Sequence, residues 1–289
     1  MKNASSQTYA YLGPEGTYSH EAALLFRARA AEKHEPGERS DLPKLMECAS
    51  IPEVFDLVDR GRATFGVVPI ENALEGSVNE TIDAFSFTSG AQILAETVLD
   101  IHHNLVVAPG TTLEDIKTIA SHPQALGQSR RWLQANLPGR ASLATTSTAE
   151  AVRFAVGAPG VAGIGATLAA QQFGGELLAQ QIEDHFGNQT RFVLIGNATC
   201  ARTGNDKTSL ALFMREDKPG TLLMILEEFA YAGLNLTKIQ SRPTKRALGD
   251  YMFWIDISGH VEDIDVKTAL DCLRLKLRAV KCIGSYPVA

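Results

Sequence analysis

Gly187-Asn188-Gln189-Thr190-Arg191-Phe192-Val193-Leu194-Ile195-Gly196 is a polar lead followed by a short apolar run. The run from Val193 to Ile195, closed by glycine, reads as a buried strand. Ahead of it stand two amides, a hydroxyl and a guanidinium, groups that are costly to bury without partners. Two readings are open. The stretch is a loop ending in a core strand, or it is a ligand site in a cleft. In the second case Arg191 grips a carboxylate in fork geometry and Thr190 offers a hydroxyl.

What lies upstream gives the stretch its place in the fold. Tyr9-Ala10-Tyr11-Leu12 reads as a strand, Gly13-Pro14-Glu15-Gly16 as a turn, and Thr17-Tyr18-Ser19-His20 as a helix start with Thr17 or Ser19 as cap. Residues 32–45, with Pro36, Gly37 and Pro43, read as a surface excursion. Ser50 to Glu53 has the capping-box pattern, and Ala63 to Ile70 reads as a buried strand. The turn Glu71 to Gly76 leads into a second expected box, Ser77 to Glu80. Strand–turn–helix units of this kind bind ligands at the carboxyl end of the strand, where helix N-termini favour anions.

Residues 92–107 read as one long extended passage. The adjacent His102 and His103 are poorly spaced for a shared metal, so a structural or surface role is expected. A short helix is expected from Thr112 and a strand at Thr118 to Ala120. A helix then opens at Ser121-His122-Pro123-Gln124 with proline in its first turn, and His122 reads as a cap or packing residue. A strand at 142–146, a third capping box at Ser147 to Glu150, a strand at 161–165 and a helix at 166–173 follow. Gly163-x-Gly165 lacks the third glycine and acidic partner of a dinucleotide fingerprint, which leaves close packing or an anion-binding turn. The pattern is βα units, a crossing near 93–107, further βα units, and a return crossing near 186–196. Two α/β lobes joined by two crossings resemble the periplasmic-binding-protein architecture, which would set Thr190 and Arg191 on the return crossing, at the hinge.

Residues 197–206 read as a linker. Beyond them the expected order is strand 207–214, helix 219–233, strands 235–241 and 250–257, helix 264–278 and strand 280–286. That βαββαβ order is ferredoxin-like. In the first helix Leu222, Leu223, Leu226, Phe229 and Ala230 mark the apolar face.

Composition removes several function classes. A net charge of −6 without a basic stripe argues against nucleic-acid binding. No segment is apolar for long enough to span a bilayer, and the start, Met1 to Ser6, has no apolar signal core. Cys48, Cys200, Cys272 and Cys282 are scattered, suggesting neither a zinc site nor a disulfide framework. The expectation is a reduced, cytoplasmic protein without membrane or nucleic-acid partners.

Taken together, the segments 13–20, 69–78 (Pro69-Ile70-Glu71-Asn72, then Glu75-Gly76-Ser77-Val78), 121–126, Ser147-Thr148-Ala149 and Thr190-Arg191-Phe192 resemble the successive motifs of the monofunctional prephenate dehydratases. Pro219-Gly220-Thr221-Leu222 and Ile239-Gln240-Ser241-Arg242-Pro243 resemble the two hallmarks of an ACT domain, an amino-acid-sensing module that pairs through its sheet. Ala73, Ser129 and Gln240 stand where the family commonly has serine, cysteine and glutamate. The last departure bears on the strength and ligand range of regulation.

The resemblance implies a catalytic domain over residues 8–196, with lobe one at about 8–92 plus 190–196, lobe two at about 104–186, and an ACT domain over 207–289. It implies conversion of prephenate to phenylpyruvate, water and carbon dioxide, inhibition by L-phenylalanine, no metal or organic cofactor, and a homodimer or homotetramer. By motif position Thr190 is the catalytic residue. Arg191, Phe192, Asn188, Gln189, Glu71, Asn72, Ser77, Thr17, Ser19, His20, Ser121, His122 and Gln124 are implied around the substrate. Gly220, Thr221, Leu222, Asn235, Gln240, Ser241, Arg242 and Pro243 are implied around phenylalanine. Alternatives are an arogenate dehydratase, disfavoured by the lack of a transit peptide, and a non-catalytic amino-acid sensor. A nicotinamide-linked enzyme is a third and poorer fit.

Overall fold

A computed structural model describes residues 7–32, 43–216, 218–246 and 249–289. The polar start and most of the expected excursion at 32–45 lie outside the described residues. Its far end is strand, not surface loop.

The elements run β1 (Thr8–Leu12), α1 (Tyr18–Glu32), β2 (Lys44–Cys48), α2 (Ile51–Asp59), β3 (Phe65–Asn72), β4 (Gly76–Ser77) and α3 (Asn79–Asp83). A π-helical turn (Ala84–Thr88) leads to β5 (Gln92–Asp100) and β6 (Asn104–Val107). Then come β7 (Thr118–Ser121), α4 (Pro123–Gln128), α5 (Arg130–Asn136), β8 (Ala141–Ala144), α6 (Thr148–Gly157), β9 (Val161–Gly165), α7 (Thr167–Phe173), β10 (Glu176–Ala179) and β11 (Gln189–Gly196). The C-terminal part holds β12 (Asp206–Phe213), α8 (Thr221–Tyr231), β13 (Leu236–Pro243), β14 (Tyr251–Ser258), α9 (Ile264–Lys276) and β15 (Ala279–Pro287).

The chain divides into two compact units, residues 1–54, 67–78 and 98–192 in one, and 55–66, 79–97 and 193–289 in the other. The strand order β2-β1-β3-β11-β5, with β4 beside β3, makes one sheet, and β10-β6-β9-β7-β8 a second. The chain passes between these sheets twice, at 101–103 and at 180–188; the return crossing thus comes earlier than the expected 186–196, and Thr190 and Arg191 lie in strand β11 beyond it. This is the two-lobed periplasmic-binding-protein arrangement. The expected continuous passage from 92 to 107 is two strands broken at Ile101 to His103, and that break is one of the crossings.

Local details follow from side-chain chemistry. Gly163 and Gly165 serve close packing: a Cβ at Gly163 would meet the Ala151 carbonyl at 2.7 Å, and one at Gly165 would meet Val152 at 2.5 Å, so α6 can lie directly on β9. Ser147 accepts from the Glu150 N–H at 3.0 Å, while the Glu150 carboxylate reaches back to the Thr146 N–H at 2.9 Å. Ser50 and Glu53 repeat the arrangement, with Glu53 accepting from the Ala49 N–H at 2.7 Å. Both boxes thus close one residue early. The remaining expected box, Ser77 to Glu80, does not form: Ser77 of β4 pairs with Glu71 of β3, and α3 starts at Asn79. Thr112 starts no helix either; its N–H and hydroxyl both bond the Asp115 carboxylate, at 2.9 and 2.7 Å, which closes a turn.

In the second unit the strand order β13-β14-β12-β15, with α8 and α9, is the expected ferredoxin-like module. Ile225 and Phe229 of α8 pack with Val266, Leu270 and Leu273 of α9 and with Leu210, Leu212, Ile255 and Ile257 of the sheet. The helix is therefore turned from its expected face. Leu223 is 60% exposed, because the sheet selects the Ile225–Phe229 stripe of a helix that is apolar nearly all round.

Candidate functional site

β11 lies between β3 and β5, which sets Thr190 beside the end of β3. Asn72, the last residue of β3, organises the site. Its Nδ2 donates to the Thr190 Oγ1 at 2.8 Å, to the Asn188 Oδ1 at 2.8 Å and to the Gln189 carbonyl at 3.2 Å. Its Oδ1 accepts from the N–H groups of Leu74 and Glu75, both at 3.0 Å, which shapes the turn into β4. Three acceptors around the nitrogen and two N–H donors around the oxygen define the amide's orientation. Thr190, 8% exposed, thus receives a hydrogen bond and keeps its own proton for a further partner. That is a hydroxyl arranged as a donor.

Neighbouring residues of an extended strand project to opposite faces. Arg191 accordingly stands with Glu71, its Nη1 at 3.9 Å from the carboxylate, and not with the Asn72–Thr190 pair. Phe192 is 2% exposed and belongs to the core. Asn188 is buried, its carbonyl accepting from the Ile101 N–H at 2.8 Å. Gln189 is exposed, with its Nε2 on Asp100 at 2.8 Å.

Several other expected residues are committed to local structure. The Thr17 hydroxyl donates to the Pro14 carbonyl at 2.8 Å and accepts from the His20 N–H. The His20 Nδ1 accepts from the Gly16 N–H at 3.1 Å and its ring stacks on Tyr11; burial holds its pKa below the ordinary value, as an imidazole under a turn requires. Ser19 is buried. The Ser121 hydroxyl donates to the Ile164 carbonyl at 2.8 Å. His122 caps α4 through its Nδ1 on the Gln124 N–H, as read from the sequence, and Gln124 is exposed.

Sequence reasoning did not find the network at the two crossings. The Tyr18 hydroxyl donates to the His102 carbonyl and accepts from the His102 N–H. Glu183, its side chain 3% exposed, bonds the His102 Nδ1 at 2.7 Å and the His103 N–H at 2.9 Å. The Ile182 N–H donates to the His103 carbonyl. The His103 Nε2 bonds the Gln128 Oε1 at 2.8 Å, and the Gln128 Nε2 reaches Glu75 at 3.4 Å. The paired histidines are thus hinge fittings. The only sequence signal was the acidic pair Glu183-Asp184 in the stretch before the return strand.

In the second unit Gly220 occupies the N-cap of α8 with φ +86°, and the Thr221 hydroxyl donates to the Lys218 carbonyl at 3.0 Å. Leu222, Ser241 and Pro243 are exposed, and the Asn235 carbonyl accepts from the Ser258 N–H. The Gln240 Oε1 is buried with no hydrogen-bond partner among the described residues, an acceptor open to a donor from outside the chain. Arg242 is already engaged, by Nε and Nη2, with the Asp83 carboxylate at 2.8 and 2.8 Å.

Residues 9–200 match the family described as prephenate dehydratase, and residues 208–271 match the ACT domain. A prephenate dehydratase of Mycobacterium leprae is 41% identical over 280 residues, spanning 96% of this chain and 86% of that one. A crystal structure of prephenate dehydratase in complex with L-Phe from Arthrobacter aurescens is 37% identical with a TM-score of 0.85, covering 98% of this chain and 90% of that one. A structure described as a novel type of quorum quenching acylase is 27% identical with a TM-score of 0.82, covering 98% of each chain.

Proposed function

The chain belongs to the prephenate dehydratase family and carries an ACT domain, and from that premise we propose that it converts prephenate to phenylpyruvate, water and carbon dioxide under inhibition by L-phenylalanine. The observation that carries the chemistry is the Asn72–Thr190 bond, which leaves one hydroxyl proton free to donate at the site.

Prephenate loses its ring hydroxyl as the ring carboxylate departs as carbon dioxide, and the bonding pair released by decarboxylation makes the ring aromatic. The net change consumes one proton, which ends up in water. An alcohol is a poor acid, so Thr190 hydrogen-bonds the departing oxygen or relays a proton from solvent, without titrating. Aromatisation supplies much of the driving force, and the site's contribution is orientation and desolvation. Asn188, Gln189, Glu71, Ser77, His122 and Gln124 complete the substrate surroundings in this proposal, and Arg191 holds the retained carboxylate from the Glu71 side.

We assign catalysis to residues 8–196 and regulation to 207–289. In the regulatory part, the buried Gln240 oxygen suits an amino acid's ammonium group, with Gly220, Leu222, Asn235 and Ser241 around the side chain. Pairing along β13, an edge strand whose side chains are exposed at every second position, supports a homodimer or homotetramer. Among the described residues no helix is long and apolar enough to cross a membrane, and we place the enzyme in the cytoplasm.

Incubation with prephenate and detection of phenylpyruvate tests the reading, with arogenate as the parallel substrate. No turnover of either would leave a ligand-binding sensor or the acylase chemistry of the 27%-identical neighbour. Thr190→Ala is expected to lower kcat about 10²–10⁴-fold with KM little changed. Arg191→Ala is expected to raise KM; an unchanged KM assigns its guanidinium to the sheet and not to the substrate.

A further inference from the structure

Asp83 ends α3, the helix that follows the Asn72–Ser77 turn along the chain. The Arg242 fork is closed on its carboxylate, and Lys245 adds a second cation at 2.5 Å. The Asp83 and Arg242 side chains are only 17% and 19% exposed. Burial pushes the Asp83 carboxyl upward, but the hydrogen bonds from Arg242 and Lys245 outweigh it and hold the pKa below the usual range. The segment after Asp83 is held by the same module. The Lys281 Nζ donates to the carbonyls of Phe85 and Ser89 at 2.6 and 2.7 Å. Phe85 lies against Trp254, and Phe87 against Phe213. Residues 83–89 are therefore held by side chains of the ferredoxin-like module, while the chain leading into α3 carries the turn that orients Thr190.

Arg242 directly follows Gln240 and Ser241, which the proposed function places at the amino-acid effector. One edge of a guanidinium forks one carboxylate at a time. We propose that Asp83 is the effector's competitor for Arg242: the carboxylate of a bound amino acid takes the fork, releases α3, and loosens the Asn72 turn. Occupancy of the regulatory site is thereby converted into a loss of order around Thr190. The inference rests on the regulatory reading above and adds the residue that transmits it. It predicts opposite signs for binding and response, which a merely structural salt bridge does not.

The test uses the full-length enzyme. Asp83→Asn removes the competing charge at nearly constant shape. Expected are a basal turnover already lowered toward that of phenylalanine-saturated wild type, L-phenylalanine binding by calorimetry as tight as or tighter than wild type, and a further fractional inhibition by L-phenylalanine reduced about tenfold or more. Asp83→Glu, which keeps the charge, restores inhibition. Lys245→Ala, at an exposed position, shifts it in the same direction as Asp83→Asn but less, and carries the test if Asp83→Asn does not fold. Wild-type inhibition in Asp83→Asn, or in Lys245→Ala where that variant carries the test, overturns the relay and leaves the regulatory reading standing. So does a fall in binding that parallels the fall in inhibition. A wild-type enzyme that turns over prephenate but neither binds nor responds to L-phenylalanine overturns both.

Discussion

Asn72→Asp is the sharpest probe of the site, because it changes the polarity of one hydrogen bond at almost constant volume. The aspartate retains an oxygen for the Leu74 and Glu75 N–H groups, so the turn keeps its shape. The atom facing Thr190, a donor at 2.8 Å in the native protein, becomes a carboxylate oxygen. The threonine hydroxyl must then donate inward. A hydrogen bond to a charged group contributes about 1.5–3 kcal/mol, and that bond must break before the proton can turn to the departing oxygen. Carried wholly into the barrier, at 1.36 kcal/mol per decade, the cost is a loss of about 10- to 150-fold in kcat. The new oxygen also faces the Gln189 carbonyl and the Asn188 side chain, native acceptors at 3.2 and 2.8 Å, so the melting temperature is expected to fall. The assay is steady-state formation of phenylpyruvate, with kcat and KM resolved and folding checked by thermal melting. A folded Asn72→Asp enzyme with kcat within twofold of wild type would refute the assignment of Thr190 as donor. As a second check, adding Asn72→Asp to Thr190→Ala should cost little more, because the two residues act through one bond.

Glu183→Gln replaces a buried carboxylate that serves both His102 and His103 with an amide offering one acceptor, and a stability loss of about 1–3 kcal/mol by denaturant titration is expected. An unchanged midpoint would remove Glu183 from the hinge. Acid should weaken the first unit before the bulk of its carboxylates titrate. Burial lowers the pKa of both His20 and His103, so the unfolded chain takes up protons first; stability is complete above the ordinary histidine value of 6.5 and is lost as pH falls below it. Melting curves between pH 8 and pH 5 check this, and replacing His103 by glutamine should flatten the dependence.

Periodicity and turn chemistry were enough to read the order of βα units, the two crossings and the βαββαβ module, because strand and helix periods and caps are properties of neighbouring residues. The apolar run after Thr190 read as a strand for the same reason. What polar side chains bond was a different matter. Thr17 and Ser121 face backbone carbonyls, α8 buries a different stripe from the one its leucines suggested, and the paired histidines hold a hinge. Thr190 acquires its donor from a residue 118 positions away, and Arg242 meets Asp83 across 159. A hydrogen-bonding group takes whichever partner the packed sheets bring within about 3 Å, and that choice is made only when distant segments meet.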